Sequence, residues 1–418
     1  ANALGTIANA SFLYNEQAPR DNSYYCIVSL DDKPLSCYDY AKQFGTDQFI
    51  FTAEGKTAYD KLKADHGEAL GKINGLLGKS NEIVYDYTSV YNGFSVVLKE
   101  SEYKKIWYNK DSLGLKDIYI SDFYNNNQEP SSADKQSKTS AMSYSDLTDR
   151  ILEETGISKV ENKGDSTVIA IIDNEFDLSH EFISTPSSAS YRLSAEDIGT
   201  VAPYLSADSD NGSNYYYNEK IPFRFNYENH NNDTSIDYKN NPNDFHGTHV
   251  AGIAAGNGNA ETDDKYNAKG AAPNAQLLLM SSYNLCYYAL LAAFDDCTYL
   301  GADIVNASWG AGFVNSNAIK YESEAIENMT ESGILFCSAA GNNAKINYQG
   351  NDSLINTDYS SGGTPNGISS VLSVGSAENT VSEKRVISSS GKNFEIMSGS
   401  KDINTAFADM TMEYAAVP

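Results

Sequence analysis

Five short, largely apolar runs restrict the fold of this chain more than any other feature: Val168 to Ile172 (VIAII), Gln276 to Met280 (QLLLM), Ile304 to Ser308 (IVNAS), Ile334 to Ser338 (ILFCS) and Val371 to Gly375 (VLSVG). A strand with one wet face alternates polar and apolar residues, whereas a strand buried on both faces is apolar along its length. Helical segments are expected between the runs, at His249 to Ala255, Tyr287 to Leu300 and Ile319 to Ser332. Together they predict an α/β fold with a parallel sheet covered by helices on both faces. The stretch from Ser184 to Asp244, rich in Ser, Asn, Asp and Tyr, has no clear period and reads as long surface loops.

The first third follows a different pattern. Tyr24 to Leu30 is β-rich, and Thr52 to Leu77 is apolar at Tyr59, Leu62, Ala69, Ile73 and Leu76. Glu82 to Leu98 gives two strands, Glu100 to Tyr108 a helix and Lys116 to Ile120 a last strand. The order strand, helix, strand, strand, helix, strand is the split βαβ of a ferredoxin-like α+β domain with its core at about residues 24–120. Asn92-Gly93 is placed to bend the chain between the middle strands. Residues 125–143 (NNNQEPSSADKQSKTSAMS) are almost devoid of apolar side chains and read as a linker, so the expected division is 1–124, 125–143 and 144–418.

The 418 residues carry a formal charge of -26, from 56 acidic against 30 basic side chains, which repels phosphate backbones and argues against nucleic-acid partners. No apolar stretch approaches the roughly 20 residues that span a bilayer, and the first residues lack the blocks of a signal peptide, so the chain as given is expected to be soluble. The cysteines Cys26, Cys37, Cys286, Cys297 and Cys337 fall at no metal-binding or redox spacing and are expected to be mostly buried free thiols.

Three places carry chemistry. Asp173 directly follows an apolar strand, at the carboxyl edge where parallel sheets hold their sites, although strands also end in Asp for turn reasons. His246, in Asp244-Phe245-His246-Gly247-Thr248-His249-Val250-Ala251-Gly252, sits where a loop enters a helix of small residues. A structural histidine or a metal pair with His249 are the other readings; zinc is disfavoured because no HExxH pattern is present. Asn342 follows the strand Ile334 to Ser338, where a side-chain amide can donate to an oxyanion or simply make a turn.

Taken in order, IAIIDNEFDLSH, DFHGTHVAGIAAG, GAAPNAQLLLM, GADIVNASWG and ILFCSAAGNN resemble the subtilisin-like serine proteases, or subtilases, over about Thr167 to Ala377. The resemblance implies Asp173 as triad aspartate, His246 as general base, Asn342 as oxyanion donor, and Ser308, Trp309 and Gly310 as the substrate-binding strand beside the S1 pocket, which Trp309 would crowd. Asp173-Asn174-Glu175 departs from the usual Asp-Thr-Gly, while Asp177 and His180 match. A serine hydroxyl is a weak nucleophile until an imidazole, held by a buried carboxylate, takes its proton. The family's Gly-Thr-Ser-Met-Ala box is absent from these residues, so the nucleophile is expected on a downstream segment or a second chain. Residues Glu378 to Pro418 resemble the exit toward an inserted protease-associated domain, as in the lactocepin-like cell-envelope branch.

The N-terminal unit, with Tyr91-Asn92-Gly93-Phe94-Ser95 between strands, resembles the family's inhibitor-type propeptides. Its tail, Ser121 to Pro130, would thread the cleft, with a processing cut between Tyr124 and Tyr144. The resemblance implies a secreted or cell-envelope-associated endopeptidase zymogen acting on peptides or proteins. It needs no cofactor, and acidic loops offer oxygen ligands should calcium bind. A dead-site binding module and a protease dedicated to one peptide precursor are the alternative readings.

Overall fold

The computed structural model describes residues 21–121, 144–184, 189–207, 215–236, 245–258, 269–310, 316–341, 345–348, 351–354, 364–375, 385–389 and 392–396. The chain forms two compact units, one running to Gly375 and the other from Ser376. The first begins with β1 (Ser23–Ser29), α1 (Asp39–Phe44), α2 (Thr46–Phe49), α3 (Ala53–Leu77), β2 (Asp86–Tyr87), β3 (Gly93–Lys99), α4 (Glu100–Leu113) and β4 (Asp117–Ile120). These strands lie in the order β2-β3-β1-β4 with antiparallel neighbours, the expected split βαβ topology. Helix α3 starts where the Thr52 side chain accepts the Gly55 N–H and stops at left-handed Gly78. Its Ala69 and Ile73 pack with Ile106 of α4 against Cys26, Val28, Phe94, Val96 and Leu98. Asn92-Gly93 is not a tight hairpin: residues 88–92 connect β2 to β3, and a Cβ on Gly93 would lie 2.0 Å from the Val28 carbonyl oxygen.

The next elements are α5 (Tyr144–Glu154), β5 (Val168–Asp173), α6 (Glu181–Ser184), α7 (Ala195–Val201), β6 (Phe223–Asn226), α8 (His246–Ala255), β7 (Gln276–Ser281), α9 (Tyr287–Tyr299), β8 (Ile304–Ala307), α10 (Ser316–Glu331) and β9 (Leu335–Ala339). They are followed by a hairpin of β10 (Lys345–Tyr348) and β11 (Asn351–Leu354), and then by β12 (Leu372–Val374). A six-stranded sheet runs β12-β9-β8-β5-β7-β6, parallel throughout. Val168, Ala170 and Ile172 of β5 belong to the core shared with α9, while Ile169 and Ile171 pack with Ala251 and Ala255 of α8. Both faces of β5 are therefore buried, as its sequence requires.

The supposed loops between Ser184 and Asp244 contain α7 and β6, a correction to the sequence reading. Strand β6 is short and interrupted by Arg224, so it gives no apolar run, yet Phe223 and Phe225 are buried beside β7. In the second unit, β13 (Arg385–Ser389) and β14 (Lys392–Ile396) form an antiparallel hairpin.

The N-terminal sheet and the parallel sheet share one core, with Ile27, Phe49, Tyr87 and Tyr91 meeting Tyr288, Leu291, Tyr299 and Ala325. Asp295 of α9 accepts the backbone N–H groups of Thr88, Ser89 and Val90 at 2.9, 2.8 and 2.7 Å. Tyr85 donates to the Tyr227 carbonyl, Tyr87 to the Tyr288 carbonyl, and Asn328 Nδ2 to the Val90 carbonyl. The turn after β2 thus has its polar groups satisfied at this contact, as burial demands. None of the five cysteines forms a disulfide; Cys26 and Cys297 are buried and the others half-buried. Among the described residues no helix is long and apolar enough to cross a membrane.

Candidate active site

The carboxyl edge of the sheet brings Asp173 and His246 together from 73 residues apart. Asp173 is the last residue of β5, held in register opposite Ser281 of β7, and its carbonyl accepts the Ser282 N–H at 2.9 Å. Its Oδ1 accepts from His246 Nδ1 at 2.8 Å and from the Asn174 N–H at 2.9 Å. Its Oδ2 is buried and has no hydrogen-bond partner among the described residues. The Asp173 side chain is 3% exposed and that of His246 is 45% exposed, so the carboxylate is dry while the ring reaches solvent. A buried carboxylate accepting from Nδ1 fixes the imidazole tautomer and steadies the charge it acquires on taking a proton at Nε2.

His246 is the first residue of α8, and its neighbour explains how the helix comes so close. A Cβ on Gly247 would lie 2.4 Å from the Glu175 carbonyl oxygen and 3.2 Å from Asp173 Cβ, so any larger residue would push the helix off the strand. Two further bonds tie the same turn down: Asn174 Oδ1 accepts the Gly247 N–H at 3.3 Å, and Thr248 Oγ1 accepts the Asp177 N–H at 2.8 Å. Ser281 donates through Oγ to the Asn174 carbonyl. The sequence alone does not single out Thr248 or Ser281 and marks Asn174 only as a departure from Asp-Thr-Gly, although an Asn directly after a strand-ending Asp is a residue type that bonds to nearby backbone.

Ser308, Trp309 and Gly310 follow β8 at the same edge, beside β5. Ser308 Oγ accepts from Asn306 Nδ2 at 2.9 Å, and Gly310 is exposed. Trp309 departs from the expectation that it crowds a pocket. Its indole is 3% exposed, and Nε1 donates to the Ile172 carbonyl at 2.8 Å, so its bulk sits beneath the strand that carries Asp173. Asn342, Asp244, the 125–143 linker and its processing window, and the cleft-threading tail beyond Ser121 lie outside the described residues. Among the described residues no three His, Cys, Asp or Glu side chains converge to hold a metal ion.

The PII-type proteinase of Lactococcus lactis subsp. cremoris is 28% identical over 342 residues, covering 79% of this chain and 16% of that protein. The C5a peptidase of Streptococcus pyogenes serotype M3 is 33% identical over 249 residues, covering 57% of this chain and 20% of that protein. The chain therefore spans no more than a fifth of the length of these relatives. Among solved structures, the epidermin leader peptide processing serine protease from Staphylococcus aureus aligns with 85% of this chain and 69% of its own, at 15% identity and a TM-score of 0.43. The sequence pattern of the Subtilase family (peptidase S8) matches residues 164–410, more than half of the chain, and the protein belongs to that family.

Proposed function

We propose that this chain carries the aspartate and histidine of a serine endopeptidase, with Asp173 orienting the ring and His246 acting as general base. The observation that carries the reading is the 2.8 Å bond from His246 Nδ1 to a carboxylate that is almost wholly buried. Asn342 supplies the oxyanion donor, and the segment Ser308 to Gly310 pairs with an extended substrate. The nucleophilic serine belongs to a segment outside these 418 residues, either downstream or on a second chain, since no Gly-Thr-Ser-Met-Ala box occurs within them. Residues 1–124 act as an intramolecular inhibitor and folding aid, and 125–143 hold the processing site. The buried hydrogen bonds that Asp295 accepts and that Asn328, Tyr85 and Tyr87 donate support a docked inhibitory domain. The protein works outside the cell or at its envelope, on peptide or protein substrates.

Fluorophosphonate labelling tests the assignment. The 418-residue chain alone should not label, because neither Asp173 nor His246 forms the acyl bond. Protein carrying the serine segment should label on that segment, and His246→Ala should abolish it. Equal labelling of the variant would remove His246 from its role. N-terminal sequencing of the same two proteins should place the mature start between Tyr124 and Tyr144 only when His246 is intact.

A further inference from the structure

We propose that Asn174 is the positioning residue of this site, its carboxamide oxygen capping the first turn of α8 from across the strand end and so setting His246 against Asp173. The inference rests on reading Asp173 and His246 as a catalytic pair. The first four N–H groups of a helix have no acceptor within it and need one from outside. Phe245, at the N-cap of α8, has no side-chain oxygen with which to cap it. Asn174 Oδ1 fills that role for Gly247 at 3.3 Å while accepting the Glu175 N–H at 2.8 Å. The reciprocal bond from the Asp177 N–H to Thr248 Oγ1 closes a two-point brace between the segment after β5 and the helix.

Asn174 is itself held on three sides. It is 4% exposed, its carbonyl accepts from Ser281 Oγ, and its N–H donates to the Oδ1 of Asp173 that also receives the imidazole. One residue therefore anchors both partners, the carboxylate through its backbone and the histidine helix through its side chain. The absence of a Cβ at Gly247 lets the helix seat this closely, and at that distance it cannot recede or rotate without losing this bond. Asp173 Oδ1 receives both the ring and the Asn174 N–H, and its Oδ2 has no hydrogen-bond partner among the described residues, so Asn174 joins the carboxylate and the helix directly, beside the packing of β5 on α8 and the bond from Asp177 to Thr248. Where the family has Asp-Thr-Gly, this chain places a carboxamide oxygen that accepts from both Glu175 and Gly247.

The experiment compares wild type, Asn174→Ala, Asn174→Ser and Asn174→Asp in the 418-residue chain. Its readout is the low-field Nδ1–H proton resonance of His246, assigned by its loss in His246→Gln and expected to be lost in Asp173→Ala. Asn174→Ala should move this resonance upfield or lose it to exchange, and Asn174→Asp, which keeps the acceptor oxygen, should restore it. In protein that includes the serine segment, Asn174→Ala should lower kcat on the order of tenfold to a hundredfold with KM unchanged, the expected result of a misplaced base. A wild-type resonance in Asn174→Ala, whatever its melting temperature, would overturn the inference. Should the alanine variant fail to fold, the shorter acceptor of Asn174→Ser carries the same comparison. A resonance that survives Asp173→Ala would defeat the Asp173–His246 pairing itself, a separate failure that takes this inference down with it.

Discussion

Asp295 and Asp173 are both buried carboxylates, and the molecule treats them in opposite ways. Asp295, on α9, receives three backbone N–H bonds from the turn after β2 and has both oxygens engaged. Asp173, at the carboxyl edge of β5, has one oxygen shared between the Asn174 N–H and the imidazole and the other without a partner among the described residues. A carboxyl group saturated by backbone N–H groups fixes one backbone arrangement. An undersatisfied one costs stability, and such groups persist where the site uses them. The first group belongs to the contact between the N-terminal sheet and α9, the second to the proposed catalytic pair.

The largest test of this contrast is Asp173→Asn in protein that carries its serine. Turnover should fall by about four orders of magnitude, as expected when the carboxylate that sets the tautomer is lost, while the unfolding midpoint moves little. Substantial residual activity would break the comparison at its catalytic end. The next is Asp295→Ala, which strips the acceptor from three buried N–H groups. Urea unfolding should show a loss of about 3 to 5 kcal/mol, each orphaned donor costing about 1 to 3 before the turn relaxes. A loss below about 1 kcal/mol would mean that the turn finds other acceptors and that Asp295 is not what holds it.

The two regions also differ in how far the sequence reveals them. The parallel sheet is legible because its strands fall on short, largely apolar runs, the pattern of strands buried on both faces, although edge strand β12 is exposed. Asp173 and His246 are legible because the motifs around them resemble those of the subtilases; their positions alone, at a strand end and where a loop enters a helix, leave turn and structural readings open. Strand β6 is not, since a four-residue edge strand containing Arg224 carries no periodic signal. Asp295 is invisible as well: in YYALLAAFDDCTY it looks like an ordinary helix residue, and only the docked turn at residues 88–90 gives it a purpose. Sequence order places Trp309 beside the substrate strand and so makes it look like a pocket residue, whereas only the fold shows its indole turned under β5. Position along an element is readable; the direction a side chain takes between elements is not.

A smaller effect follows from protonation. Burial pushes the Asp295 carboxyl up to about 7, partly offset by the N–H bonds of Thr88, Val90 and Ser89. Burial likewise pushes its neighbour Asp296 up to about 8, against the Tyr227 hydroxyl and the backbone of Ser206 and Ala207. Unfolded aspartates release their protons near 3.8. Between about pH 4 and pH 8 the folded protein therefore holds protons that the unfolded chain has lost, and stability falls as pH rises through that window. Melting curves should drop by several degrees between pH 6 and 8. Asp296→Asn should flatten that slope, and an unchanged slope would show that Asp296 titrates like a solvent-exposed acid.

The smallest effect expected is that of Trp309→Phe, which sharpens the catalytic side of the comparison. The indole Nε1 donates to the carbonyl of Ile172, the residue that precedes Asp173 in β5, and a phenyl ring fills much of the same space without that donor. Losing one buried neutral hydrogen bond should cost about 1 kcal/mol, because the orphaned carbonyl retains part of its strand pairing. In a chain of this size that corresponds to a fall of about 2 °C in melting temperature. Ile172 is anchored on both sides, by Met280 of β7 and Ala307 of β8, so the strand end should stay in register. The Nδ1–H resonance of His246 should therefore keep its wild-type position in Trp309→Phe while moving in Asn174→Ala. If both variants displace it equally, the imidazole depends on the whole strand end rather than on the cap from Asn174. A change in substrate preference without any loss of stability would instead return Trp309 to the pocket rim, where its place after β8 first suggests it belongs.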